Sequence, residues 1–281
     1  MSIIPSMTIR ALDFIFDRPS NSANLTNHTN NSANTRKFNG FRVKRDKKLS
    51  FSGYRNTLFS QKKYMSIHLF TFNAFQENTY VLVNALKQAI IIDPGMTDES
   101  EDAVLFDFIE RNGLTPVYLL NTHCHIDHIL GNAAVVKKYG VPFYAHKNEI
   151  AVLERAGAAS LRWDIPYRES PMPTHFIDEG DRIEFGEHSL DVIFVPGHAP
   201  GHVAFIDHEH EQVISGDVLF DGSVGRVDLP GCNAQDLVDS VQKKMYALPD
   251  QYVVHPGHGG ATTIGKEKKT NYFIGENYSR F

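Results

Sequence analysis

The chain has 281 residues, 42% of them apolar, enough for one large domain or two small ones with a sizeable core. Its two cysteines, Cys124 and Cys232, exclude a disulfide framework and suit a reducing compartment, and no apolar run is long enough to span a membrane. Residues 1–64 hold 12 Lys+Arg against 3 Asp, so within a chain of net charge −5 residues 65–281 carry −14, which excludes nucleic-acid binding through a general basic surface.

Residues 18–64 follow neither a helical nor a strand period. The stretch 21–34 is almost wholly Asn, Ser, Thr and Ala, and 36–48 is basic. Such a composition cannot bury enough apolar surface to offset its ordering entropy, so residues 1–64 are expected to be disordered. An Arg- and Ser-rich, acid-poor segment also fits an organellar transit peptide, and Met65 is an alternative start. From Met65 the texture changes. Residues 66–72, 79–84 and 88–92 read as strands, the last closing on Asp93-Pro94-Gly95. Apolar residues at 104, 105, 108 and 109 predict a helix over 99–112, stopped by Gly113. A strand at 116–120, a helix at 129–139, a strand at 141–145 and a helix at 147–156 follow. Short strands are expected at 182–185, 188–195, 202–207 and 211–215, a helix at 233–247 and a last strand at 251–254. The mix predicts one α/β domain over 65–281, with sheets sandwiched by helices.

The densest chemistry is Thr122-His123-Cys124-His125-Ile126-Asp127-His128. In an extended loop alternate side chains point the same way, so His123 and His125 can converge on one ion while Cys124 and Ile126 face packing. Asp127 and His128, at the start of a helix, can reach a second ion. Desolvating three imidazoles and a carboxylate in so short a run is costly without metal or mutual pairing. Imidazole and carboxylate together suit zinc, with iron and manganese as alternatives. Three further candidates stand in like settings. His198 follows the apolar run 190–195, Asp217 follows 212–215, and His258 follows 252–255, each with a glycine beside it that lets the backbone approach closely. Four strand ends bearing such residues predict one shared sheet edge.

With these pieces in place the chain resembles the metallo-β-lactamase superfamily, and most its small glyoxalase II-like hydrolases. The matching segments are IIIDPG at 90–95, THCHIDHILGN at 122–132, PGHAPGH at 196–202, SGDVLF at 215–220 and PGHGG at 256–260. GSVGRVDLPG at 222–231 and TTIGKEKKTN at 262–271 resemble the small subgroup as well. The resemblance implies an αββα sandwich with two metal ions. His123, His125 and His198 would hold one, Asp127, His128 and His258 the other, and Asp217 would bridge them. Zinc is the family's usual metal, and the glyoxalase II-like branch also takes iron or manganese. The implied activity is hydrolysis of a thioester or related ester, such as S-lactoylglutathione, by a hydroxide shared between the ions, with Asp127 orienting it. True glyoxalase II adds a C-terminal helical domain that contributes to glutathione binding, whereas here 23 residues follow His258. A mononuclear-iron persulfide dioxygenase, a β-lactam or lactone hydrolase and a non-catalytic scaffold are the alternatives on the same fold.

Asp93 resembles the family's aspartate that supports a ligand histidine. His146 is expected to be structural or supporting, and His202 and His255 stand near the ligands but off the motif positions. His208 and His210 read as a solvated hairpin, and Cys124 as structural. Arg226 and Asp228 either shape the pocket wall or brace their loop. The expected setting is cytoplasmic, with a small-molecule substrate and neither nucleic acid nor membrane as partner.

Overall fold

Short apolar runs with glycine-rich turns build two sheets, seen in a computed structural model that describes residues 12–14 and 64–275. The first sheet follows chain order. Strands β1 (Leu12–Phe14), β2 (Met65–Phe72), β3 (Glu77–Asn84) and β4 (Gln88–Ile92) form an antiparallel meander. Helix α1 (Glu99–Arg111) leads to β5 (Thr115–Leu120), then α2 (Ile126–Ile129) and α3 (Asn132–Tyr139) to β6 (Phe143–Ala145). Helices α4 (Ile150–Leu153) and α5 (Ala156–Trp163) precede β7 (His175–Phe176), and β4 to β7 run parallel.

The second sheet begins with the antiparallel strands β8 (Arg182–Phe185), β9 (His188–Phe194), β10 (Val203–Asp207) and β11 (Gln212–Gly216). A small hairpin, β12 (Leu219–Phe220) with β13 (Ser223–Val224), and helix α6 (Ala234–Lys243) intervene. Strand β14 (Val253–Pro256) then pairs parallel with β11, and β15 (Thr262–Thr263) and α7 (Ile264–Thr270) complete the layer.

Alternate side chains buried on opposite faces explain why both sheets are internal, and β3 is buried along its whole length. In β3, Val81 and Val83 pack with Leu105, Ile109 and Val135 of the helices, while Tyr80 and Leu82 face Leu190, Val192 and Phe205 of the second sheet. A third core joins Ala204, Val213 and Val254 to Leu237 and Val241 of α6. The result is the expected αββα sandwich. Among the described residues no helix is long and apolar enough to cross a membrane.

Several boundaries differ from the sequence reading. Within the segment expected to be disordered, residues 12–14 instead pair with β2 as a strand; the rest of 1–63 lies outside the described residues. The single helix expected at 129–139 is broken at Gly131, whose amide donates to Pro94 O at 2.7 Å and against which the turn after β4 packs closely. The 147–156 helix is a 3-10 turn plus α4, and α5 continues beyond it. A run of Ala, Gly and Ser carries little apolar periodicity, which hides α5 from pattern reasoning.

Candidate metal centre

Beyond β5 the chain stays extended as far as α2, and parity acts as the sequence predicts. The rings of His123 and His125 meet at 4.8 Å between centroids, and Cys124 between them is fully buried in the helix-side core. His198 follows β9, Asp217 follows β11 and His258 follows β14. The expectation of one shared sheet edge is corrected here. Residues 123–128 follow a strand of the first sheet, and the other three follow strands of the second. Stacking the sheets brings their ends together. Hydrogen bonds lock the seam: Val203 N–H donates to Thr122 O at 2.8 Å, Tyr80 Oη–H to Pro256 O at 2.7 Å, and Asn78 Nδ2–H to Pro256 O at 3.0 Å.

All seven residues singled out in the sequence converge. His123, His125 and His198 form one group able to hold a cation, and Asp127, His128 and His258 another, with the donor atoms of each group within 4.8 Å of one another. Asp217 lies between them. Its Oδ2 is 3.4 Å from His198 Nε2 and 3.5 Å from His258 Nε2, and its Oδ1 is 3.5 Å from His128 Nε2. Asp93 with His123 and His128 is geometrically a third group. Its oxygens are already engaged, however, by Thr122 N–H at 2.7 Å, Thr122 Oγ1–H at 2.5 Å and Asn121 Nδ2–H at 3.1 Å. Asp93 therefore supports rather than ligates.

The donor set fits cations on three observations. His123 Nε2, His128 Nε2 and Asp217 Oδ1 are buried without a hydrogen-bond partner among the described residues, a costly condition for polar atoms that a metal ion relieves. The outer ring nitrogens are held by acceptors, which sets the tautomer and leaves the inner lone pairs facing the centre. His198 Nδ1–H donates to Arg226 O at 2.8 Å, His258 Nδ1–H to Phe75 O at 3.1 Å and His128 Nδ1–H to Asp93 at 3.2 Å. Finally, Gly257 cradles the site: a Cβ there would stand 2.1 Å from Asp217 Oδ1 and 2.7 Å from His128 Cε1.

The electrostatics divide the centre in two. Burial pushes the His123 and His198 pKa values down, His123 the further, and takes His125 to about 3. These three present neutral imidazole. Burial also opposes charge on His128 and His258, but Asp127 and Asp217 outweigh it, raising His128 well above its ordinary value and His258 to about 10. The imidazoles in turn hold the Asp127 and Asp217 carboxyls low against the upward push of burial.

Three residues that sequence reasoning left without a role brace this arrangement. Thr122 donates its hydroxyl hydrogen bond to Asp93 and accepts from His123 Nδ1 at 3.1 Å. His202 stacks on His123 and accepts the Asp217 amide at Nε2, 3.0 Å away. Glu149 is fully buried and accepts Cys124 N–H at 2.7 Å and Gly201 N–H at 2.6 Å, tying the first loop to the loop that carries His198. Nothing in the local pattern distinguishes Glu149 from a solvated helical glutamate. His146, His255, His208 and His210 are structural. His146 stacks on Phe194, and His255 bonds Gln212 at 2.7 Å. His208 and His210 pair with Asp191 and Asp207 around the β10–β11 turn. Arg226 and Asp228 brace each other at 2.6 and 2.8 Å, and Arg226 also lines the cavity.

The centre opens into a cavity of about 530 Å³, with Asp127, His258 and the aromatic rings of Phe75, Trp163 and Phe220 in its wall. Such a concave, largely apolar space with a few polar groups converging at one end suits a small molecule.

Comparison with known proteins agrees with this geometry. The model of the metallo-beta-lactamase superfamily matches residues 72–258. The hydroxyacylglutathione hydrolase GloC of Haemophilus influenzae is 33% identical over 212 residues, covering 75% of this chain and 98% of that protein. Among solved structures, a di-iron-bound form of TTHA1623 is 41% identical with a TM-score of 0.66, over 73% of this chain and 98% of the other. The BLEG-1 B3 metallo-beta-lactamase is 34% identical with a TM-score of 0.69, over 74% and 99% respectively.

Proposed function

The chain belongs to the metallo-β-lactamase superfamily as a metal-binding hydrolase, and from that premise we propose that it cleaves acyl thioesters or related esters at a centre of two metal ions. His123, His125 and His198 would hold one ion, Asp127, His128 and His258 the other, and Asp217 would join them. The single observation that carries this reading is Asp217, whose two oxygens face histidines of both groups. Ions bound there would supply water of lowered pKa and an electrophile for the substrate carbonyl. Zinc is the first candidate, with iron supported by the di-iron relative and manganese as a third.

The chain's own residues do the rest. Asp127 Oδ2 stands at the cavity wall, 3.2 Å from His258 Nε2 and with a side chain 15% exposed, where it can accept a hydrogen bond from the attacking water and orient it. Asp93 and Thr122 keep His123 and His128 aimed inward. Phe75, Trp163 and Phe220 offer the acyl group an apolar wall. In the reaction water oxygen bonds to the carbonyl carbon, the C–S bond breaks, and a thiol leaves; a thiolate needs little protonation, so no separate acid is required. The name of the Haemophilus relative supports a glutathione thioester, and BLEG-1 supports testing a β-lactam as a second acyl substrate. We place the enzyme in the cytoplasm, where Cys124 and Cys232, both free, remain reduced.

The deciding experiment measures metal per chain alongside turnover of thioester, lactone and β-lactam substrates. Two metal ions per chain and preferred thioester hydrolysis are expected. One iron per chain with oxygen uptake on a persulfide, or no turnover of any acyl substrate by metal-loaded protein, overturns the proposal.

A further inference from the structure

The described residues include six arginines, and their partners sort them. Arg111 pairs with Asp107, Arg168 with Asp102, Arg182 with Asp191 and Arg226 with Asp228. Arg155 and Arg162 have no carboxylate partner among the described residues, although residues 65–281 carry a net charge of −14. Both line the cavity beside the metal centre.

Their placement is periodic. Val152, Arg155, Ala156, Ala159, Arg162 and Trp163 all line the cavity at intervals that keep one face of the α4–α5 stretch toward it. The arginines are seven residues apart, about 10 Å along a helix. The three cavity-lining alanines between them, Ala156, Ala158 and Ala159, leave room where larger side chains would fill the cleft. Trp163 presents its ring to the Arg162 guanidinium at 5.7 Å from the centroid and meets Phe75 edge-on at 5.9 Å. Two cations outside any described ion pair thus flank an apolar wall, although Arg162, after Arg226, helps hold the Asp228 carboxyl low, in a domain whose overall field repels anions.

We propose that Arg155 and Arg162 form an anion-recognition subsite, so that the substrate is an acyl compound with an apolar segment and a carboxylate or phosphate beyond it. This rests on the reading of the adjoining centre as hydrolytic and adds the substrate's charge. Guanidinium groups suit either anion through paired N–H donors. Arg226 is already tied to Asp228, which leaves these two arginines as the discriminating charges.

The test uses metal-loaded full-length protein and binding rather than turnover, so its result is independent of whether the centre hydrolyses thioesters. An S-alkylglutathione, its carboxamide form lacking both negative charges, and an S-alkyl coenzyme A with and without its 3′-phosphate are titrated by calorimetry. The wild type should bind at least one charged ligand about tenfold more tightly than its uncharged or dephosphorylated counterpart, and added salt should shrink that preference. The Arg155→Gln/Arg162→Gln variant should lose the preference, and Arg155→Lys/Arg162→Lys should keep part of it. Preference in the glutathione arm identifies a carboxylate, and preference in the coenzyme A arm a phosphate. Equal affinity for every charged and uncharged pair in the wild type, or a preference that survives the Gln variant, overturns the proposal. A parallel assay of S-acyl glutathione hydrolysis separates the readings. Turnover without charge preference sinks the subsite alone, and charge preference without turnover sinks the hydrolytic reading alone.

Discussion

One half of the centre gathers His123, His125 and His198 with no carboxylate of its own, while the other sets His128 and His258 against Asp127, with Asp217 shared between them. Burial governs the first half. It takes the His125 pKa to about 3 and makes all three rings neutral donors. Charge governs the second. Asp127 and Asp217 outweigh burial and lift His258, whose side chain is 26% exposed, to about 10. Residue type alone does not decide an imidazole's charge; the balance of burial against carboxylate contacts does, since buried His198 is held low although Asp217 lies 3.4 Å away. The same ring chemistry therefore gives a preformed neutral site on one side and a charge-compensated one on the other.

That contrast can be broken at the residue both halves share. Asp217→Asn removes the charge between them and should cost about 10³-fold in kcat/KM on a thioester, with metal content per chain falling in both halves. Near-normal metal content and activity would show that the halves are independent. Asp127→Asn touches the carboxylate half alone. It should lower kcat by about 10²-fold or more while the circular dichroism spectrum stays native; unchanged turnover at full metal content sinks the orienting role. Asp93 is one step removed. Because it holds His128 directly and His123 through Thr122, Asp93→Asn should weaken metal affinity in both halves by about 10–100-fold, read by competition with a chromophoric chelator.

A smaller effect sharpens the contrast from the other side. Glu149 holds Cys124, between His123 and His125, and Gly201, in the loop of His198, so Glu149→Gln should leave one buried backbone N–H unsatisfied. It should lower stability by about 1–3 kcal/mol in denaturant melts and loosen one metal ion per chain but not the other. Loss of both ions together would contradict the division. The mildest test concerns His255, buried three residues before His258 but away from the carboxylates. Burial lowers its pKa to about 4. A histidine depressed in the folded state is neutral there and takes a proton more readily when unfolded. Its contribution is therefore intact above about pH 6.5 and declines as pH falls toward 4. Melts of the wild type should lose roughly 1–2 kcal/mol from this residue between pH 6.5 and 5. The His255→Gln variant should be flatter over that window, and equal slopes would remove His255 as the cause.

Legibility followed the range of the interactions involved. The His-x-His-x-Asp-His element was readable because parity on an extended segment is local: Cys124 turns into the core between two inward histidines, as expected. His198, Asp217 and His258 were readable from a strand ending beside glycine. Helix α1 was readable from its apolar spacing, whereas α5 was not, since Ala-Gly-Ala-Ala offers no periodic stripe. Glu149, Thr122 and His202 act on partners far away in sequence or on ring nitrogens whose direction no pattern specifies. Their roles appear only when the loops are brought together.

By itself, then, the amino-acid order determined which side chains are candidates for the chemistry and the run of strands that present them, because side-chain parity and apolar period act over a few residues. Tertiary structure alone decided that the candidate ligands come from two sheets rather than one edge. It alone made one trio of histidines neutral and placed Asp217 between both groups. It also turned one face of the α4–α5 stretch, with Arg155 and Arg162, toward the cavity. Each of these depends on stacking two sheets so that their ends meet, and on burial and charge summed over residues more than 100 positions apart.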